Sequence, residues 1–134
     1  MKRKPAMLIE LETTKPLAQI DRDLRAAAAR HGFGVLALHN LGETIRSKGV
    51  EFSGECLVYE VCNPWQASRA LQASFAVATA LPCRIAIYRT DQGYKLATIR
   101  PTALMAMFQA AGLDVVAGEV EATLSAIMQE TAGA

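Results

Sequence analysis

The sequence lacks both a surplus of charge of one sign and a long apolar segment. Its 134 residues carry fourteen basic and thirteen acidic side chains, whereas nucleic-acid-binding domains are typically rich in basic residues. No stretch of the sequence approaches the roughly 20 consecutive apolar residues that a membrane-spanning helix requires. The sequence therefore predicts no nucleic-acid partner and no membrane partner.

Cysteine is scarce as well, and only Cys56, Cys62 and Cys83 are present. An odd number of cysteines without a C-x-x-C pair is unlike a disulfide-rich secreted domain or a thioredoxin-type redox motif. The basic start of the chain is followed by an apolar run over residues 6–9, which is shorter than the roughly 7–15 residues of an export signal. We therefore expect a cytoplasmic protein with reduced thiols.

Sequence motifs that are typical of particular enzymes or of nucleotide-binding proteins are also missing. No phosphate loop, metalloprotease helix motif or nucleophile elbow occurs, and no G-x-G-x-x-G turn follows a predicted strand. A zinc site usually needs two ligands that are two to four residues apart, and the spacing of the three cysteines does not supply them. The sequence thus favours a binding domain over an enzyme, predicts no metal site and leaves any cofactor unidentified.

Apolar periodicity predicts short elements in the order β-α-β-α-β-α-β-β-α-α. The predicted strands lie near residues 7–11 and over 33–39, 55–61, 83–89 and 94–99. A helix is expected from Pro101 to Gly112, and Asp114 is expected to cap the last helix. The run over residues 104–108 contains two methionines and favours a buried or subunit-facing helix surface.

Short connections between these elements favour an antiparallel sheet. We expect an α+β fold, a two-layer sandwich in which a mainly antiparallel sheet of about five strands carries helices on one face. With no repeat, linker or low-complexity tract in the sequence, the chain is predicted to be a single domain over residues 1–134.

One strand is predicted to run directly into a helix at Cys62-Asn63-Pro64. Asn63 is a good N-cap, Pro64 suits the first helical position, and Gln66 completes a pattern like a capping box. Cys62 then lies near the positive end of the helix dipole, which can lower the pKa of a thiol. Packing beneath the first helical turn is the alternative role for Cys62.

Period-two alternation in the preceding strand places Leu57, Tyr59 and Val61 on one face and Cys56, Val58 and Glu60 on the other. Cys62 joins the second face if strand geometry persists. Glu60 between two thiols can line a cleft or a subunit contact. The alternative is a solvated carboxylate with two cysteines as small apolar fillers.

Three short motifs in this order make the chain resemble the DUF302 family. They are Gly32-Phe33-Gly34-Val35-Leu36, then Cys62-Asn63-Pro64 before a helix containing Ala70-Leu71, and then Leu81-Pro82-Cys83 before a strand. The resemblance covers about residues 21–107. It implies a small α+β sandwich with no established activity, and Cys62 and Cys83 match the two recurrent cysteine positions of the family.

Two functional hypotheses follow. The first is a non-enzymatic homodimer that binds a small ligand or a partner, because surplus apolar surface on a small domain commonly marks an interface. The second is a thiol-dependent redox, soft-metal or haem-binding protein that uses Cys62 and Cys83, with Glu60 as a nearby acid–base group. The candidate binding residues are Cys62, Cys83, Glu60 and Asn63.

Overall fold

The computed structural model describes residues 6–133. The five strands are β1 Leu8–Thr13, β2 Gly34–Asn40, β3 Cys56–Cys62, β4 Cys83–Thr90 and β5 Gly93–Ile99. The five α-helices are α1 Leu17–Arg30, α2 Leu41–Ser47, α3 Pro64–Ala73, α4 Pro101–Met105 and α5 Leu113–Ala132. Two 3-10 helices, Phe75–Ala80 and Ala106–Phe108, follow α3 and α4. That residues 1–134 form one domain stays a prediction, because residues 1–5 and 134 lie outside the described part of the chain.

The strands form one sheet in the order β1-β5-β4-β3-β2, and every neighbouring pair is antiparallel. A tight hairpin joins β4 to β5, with Thr90 opposite Gly93. Gly93 has φ of 146°, and a Cβ atom there would collide with the backbone oxygen of Thr13 in β1. The predicted α+β fold, with an antiparallel sheet and helices packed on it, is confirmed.

The first core lies between one face of the sheet and helices α1 and α5. Alternate strand residues Leu57, Tyr59 and Val61 belong to it, as the alternation in the sequence predicts. The Tyr59 hydroxyl donates to Asp21 Oδ1 at 2.7 Å, so the one polar atom of this buried ring has a partner. Burial, together with that carboxylate, raises the pKa of Tyr59.

The second core is smaller and lies to one side of the first. Its members come from α3, α4, α5 and the 3-10 helix Phe75–Ala80, and they are Ala70, Val77, Met105, Leu113, Val116 and Ala117. Helix α5 contributes to both cores. The candidate site described in the next section is lined by residues of both cores, and α5 supplies part of its lining.

The chain between α4 and α5 departs from the prediction. The helix that starts at Pro101 ends at Met105 rather than Gly112, and Gln109 adopts a left-handed conformation with φ of 50°. Helix α5 begins at Leu113 after Gly112, and the Asp114 side chain makes no capping bond. Burial of Leu113 in the second core sets this start, which leaves Asp114 inside the first turn, where its charge still suits the helix dipole.

None of the helices within residues 6–133 combines the length and the apolar character needed to cross a bilayer.

Candidate functional site

The junction between β3 and α3 is built by local hydrogen bonds. Asn63 Oδ1 accepts from the backbone N–H of Gln66 at 3.0 Å, and Pro64 occupies the first turn, as predicted. Asn63 Nδ2 also donates to the carbonyl oxygen of Gly32 at 3.2 Å. Asn63 therefore ties the end of the α1 segment to the start of α3, which is a structural role.

Cys62 and Cys83 line the same small cavity, which we call the inner cavity. Its volume is about 30 Å³, which is room for about one water molecule. Cys83 is the cross-strand partner of Val61, the neighbour of Cys62, so the two cysteines lie at the same end of the β3–β4 pair. Apolar side chains from α3 and α5 form the opposite wall, namely Ala67, Ala70, Val116, Ala117 and Val120.

The two thiols have raised pKa values, contrary to the expectation for Cys62. Burial raises the pKa of Cys62, because the charged thiolate loses hydration. Burial, and then the neighbouring Cys62, raises the pKa of Cys83 to about 11. Both side chains are therefore protonated thiols at neutral pH, and neither has the lowered pKa that marks a catalytic cysteine.

A larger depression, the outer cleft, lies on the other side of Cys83. Its volume is about 310 Å³. Four residues line both the outer cleft and the inner cavity, and they form the wall between them: Pro82, Cys83, Pro101 and Met105. The rest of the lining is largely apolar and includes Ala80, Ile99, Leu104, Met107, Phe108 and Leu124.

Comparison with known proteins gives a family for this fold. The sequence model of the family described as "Domain of unknown function DUF302" matches residues 9–131. The chain belongs to the DUF302 family. Among solved structures, it is similar to the one titled "Crystal structure of uncharacterized conserved protein DUF302 from Bacillus stearothermophilus". The TM-score is 0.89 at 27% sequence identity, and the match covers 93% of this chain and 98% of that one. No curated protein matches the sequence.

In this DUF302 domain the predicted site residues do not all meet. Glu60 lines neither the inner cavity nor the outer cleft within residues 6–133. Its carboxylate pairs with His39 Nε2 of β2 instead, and its cross-strand partner in β4 is Arg84. An acid–base role for Glu60 beside the thiols therefore has no support in this geometry.

The three cysteines are all free thiols, and Cys56 lies at the start of β3 opposite Tyr88 of β4. Within residues 6–133, no group of three His, Cys, Asp or Glu side chains converges closely enough to hold a metal ion. Cys62 and Cys83 supply two sulfur atoms to the inner cavity, and no other His, Cys, Asp or Glu of residues 6–133 lines it.

The sequence did not predict that Met105 and Met107 line the outer cleft. The run over residues 104–108 looks like one continuous helix face, whereas the structure ends α4 within it. Met105 is consequently buried in the second core, and Met107 is 75% exposed at the cleft. The signal was the pair of flexible methionines, which is common at adaptable binding surfaces.

Proposed function

We propose that this DUF302 domain is a non-enzymatic binding protein that holds a small, mainly apolar molecule in the outer cleft. The observation that carries the proposal is the cleft itself, because about 310 Å³ reaches the size range of small-molecule pockets. Its lining is aliphatic, aromatic and methionine side chains around a few polar groups, as in such pockets.

The polar side chains of the cleft are Arg84, which is exposed, and Thr79 and Thr98. The Thr98 hydroxyl donates to the Arg84 carbonyl oxygen at 2.6 Å, and the Thr79 hydroxyl donates to the Ala76 carbonyl oxygen at 2.8 Å. Cys83, with its raised pKa, offers a protonated and polarizable sulfur atom, which packs like a small apolar group. A ligand is therefore held mainly by burial of its apolar surface.

Narrowing the cleft is expected to weaken this binding. Leucine in place of Ala80 adds three carbon atoms to the cleft wall, so Ala80→Leu should weaken binding of the probe 1-methoxyhexane at least tenfold. The measurement is a titration followed by NMR chemical shifts. Ala76→Leu is the matched control, because Ala76 is exposed in the same 3-10 helix and lies outside the cleft lining.

Two results would remove the proposed binding function. One is that the wild-type protein shows no saturable shifts with 1-methoxyhexane. The other is that Ala80→Leu and Ala76→Leu bind the probe equally well, since that outcome would locate the binding elsewhere on the protein.

We also propose that the domain acts as a homodimer through its outer sheet face, the face turned away from the first core. One row of cross-strand neighbours crosses it in the order Glu10, Ala97, Ala86, Val58 and His39. The centre of this row is small and apolar, while its ends carry a carboxylate and an imidazole. Two copies stacked face to face about a two-fold axis parallel to the strands bring these unlike ends together, and each such contact then occurs twice.

A charge in the middle of this face is expected to separate the copies. Ala86→Arg should weaken self-association at least tenfold, because an unpaired charge would be buried at the contact. Sedimentation velocity at micromolar concentrations measures the change, and Ala76→Arg on the exposed 3-10 helix is the control. A wild-type protein that sediments as a monomer throughout this range would contradict the dimer.

A further inference from the structure

One buried acceptor beside the thiols has no donor. Gln66 Oε1 is buried and has no hydrogen-bond partner among the described residues, and Gln66 lines the inner cavity. The capping pattern assigns this side chain a bond back to the N-cap, but that return bond is not formed. Only the backbone N–H of Gln66 takes part in the cap.

Neither neighbouring thiol satisfies this oxygen, although Cys62 and Cys83 line the same cavity. A buried acceptor that is left without a donor forfeits the hydrogen bond it makes to water in the unfolded chain. Such a group takes its donor from outside the chain, either from a water molecule or from a ligand.

The lining of the inner cavity limits the chemistry of that donor. All of its lining side chains within residues 6–133 are uncharged, so an ammonium group would be buried there without a counter-ion, at high cost. The volume of about 30 Å³ admits about one water-sized group. A single neutral hydroxyl fits both limits.

The wall between the inner cavity and the outer cleft contains one side chain that can change its conformation. Met105 belongs to it and has an unbranched side chain with several rotatable bonds, which adapts readily to a neighbour. Met105 is also the last residue of the five-residue helix α4. Passage of a ligand from the outer cleft to the inner cavity requires the Met105 side chain, which is 6% exposed, to change its rotamer.

We infer that the DUF302 domain binds a neutral aliphatic alcohol, with the apolar chain in the outer cleft and the hydroxyl donating to Gln66 Oε1. The inference rests on the proposed binding function and adds the chemical class of the ligand. Met105 and Cys83 lie where the chain passes from the cleft to the cavity. The Oε1 atom of Gln66 favours ligands that carry a hydrogen-bond donor over ligands that lack one.

The test compares two probes, 1-hexanol and its donor-free analogue 1-methoxyhexane, by NMR titration of three proteins. Gln66→Met keeps the length of the side chain and removes the acceptor, and Gln72→Met makes the same change at an exposed position of α3. Removing one hydrogen bond to a buried acceptor is expected to lower the preference for the alcohol about tenfold in Gln66→Met. The preference should stay within about twofold of wild type in Gln72→Met.

The outcomes separate the two proposals. If both probes bind but the preference is the same in wild type and Gln66→Met, the alcohol assignment is overturned, and the cavity holds at most water. If the wild-type protein does not bind 1-methoxyhexane, the proposed binding of apolar molecules in the outer cleft fails, whether or not 1-hexanol binds. Loss of the preference in Gln66→Met alone supports both.

Discussion

We expect iodoacetamide to alkylate Cys83 at pH 7.5 about 30-fold more slowly than it alkylates glutathione. The pKa of Cys83 is raised to about 11, whereas a free cysteine has a pKa of about 8.5. At this pH its thiolate is therefore about 300-fold scarcer than that of a free cysteine. The greater nucleophilicity of the more basic thiolate recovers about tenfold of the rate.

The raised pKa of Cys83 also determines how its alkylation rate depends on pH. Because the thiolate forms only near pH 11 in the folded protein, the rate at Cys83 should rise about tenfold for each pH unit from 7.5 to about 10. Cys62, whose pKa burial also raises, should likewise react more slowly than glutathione.

Single-cysteine variants analysed by mass spectrometry separate the three thiols, and the urea-unfolded chain gives the rate of each one without the fold. Alkylation of folded Cys62 or Cys83 at the rate of glutathione, or faster, at pH 7.5 would contradict the structural role given to them. That result would favour the redox or soft-metal hypothesis instead.

Ile127→Ala is expected to lower the free energy of unfolding by about 3–4 kcal/mol. Ile127 is fully buried in the first core, where α5 packs on the sheet, and the truncation loses apolar burial and leaves a cavity. Val115→Ala on the same helix is the control, because Val115 is 58% exposed. That variant should stay within about 0.5 kcal/mol of wild type.

Urea denaturation followed by circular dichroism measures both changes. All proteins need the same concentration, because the proposed homodimer would gain stability by association. A loss below about 1 kcal/mol in Ile127→Ala would mean that α5 is not the support of the first core.

What the sequence predicted well was local. Asn63 and Pro64 start α3 through contacts within one helical turn, and the hairpin between β4 and β5 closes over adjacent residues. Alternation along β3 also identified Leu57, Tyr59 and Val61 as core residues. Each of these features depends on residues that are close together in the sequence, so the order and spacing of residue types are enough to predict it.

What failed depended on residues far apart in the chain. The dipole of α3 suggested a low pKa for Cys62, but burial by segments from elsewhere in the chain decides the direction. The Glu60 carboxylate pairs with His39, which is 21 residues away in the sequence, and not with a thiol. The outer cleft is assembled from residues 79–84 and 98–108 together with Leu124, and no local pattern reveals such a convergence.

The binding function is tested most directly by the methionine methyl groups. Met105 and Met107 line the outer cleft, and Met7 does not. In protein labelled with ¹³C at these methyl groups, titration with 1-methoxyhexane should shift the Met105 and Met107 signals saturably and leave the Met7 signal in place. Signals of Met105 and Met107 that stay unchanged, or move no more than that of Met7, would contradict ligand binding in the outer cleft.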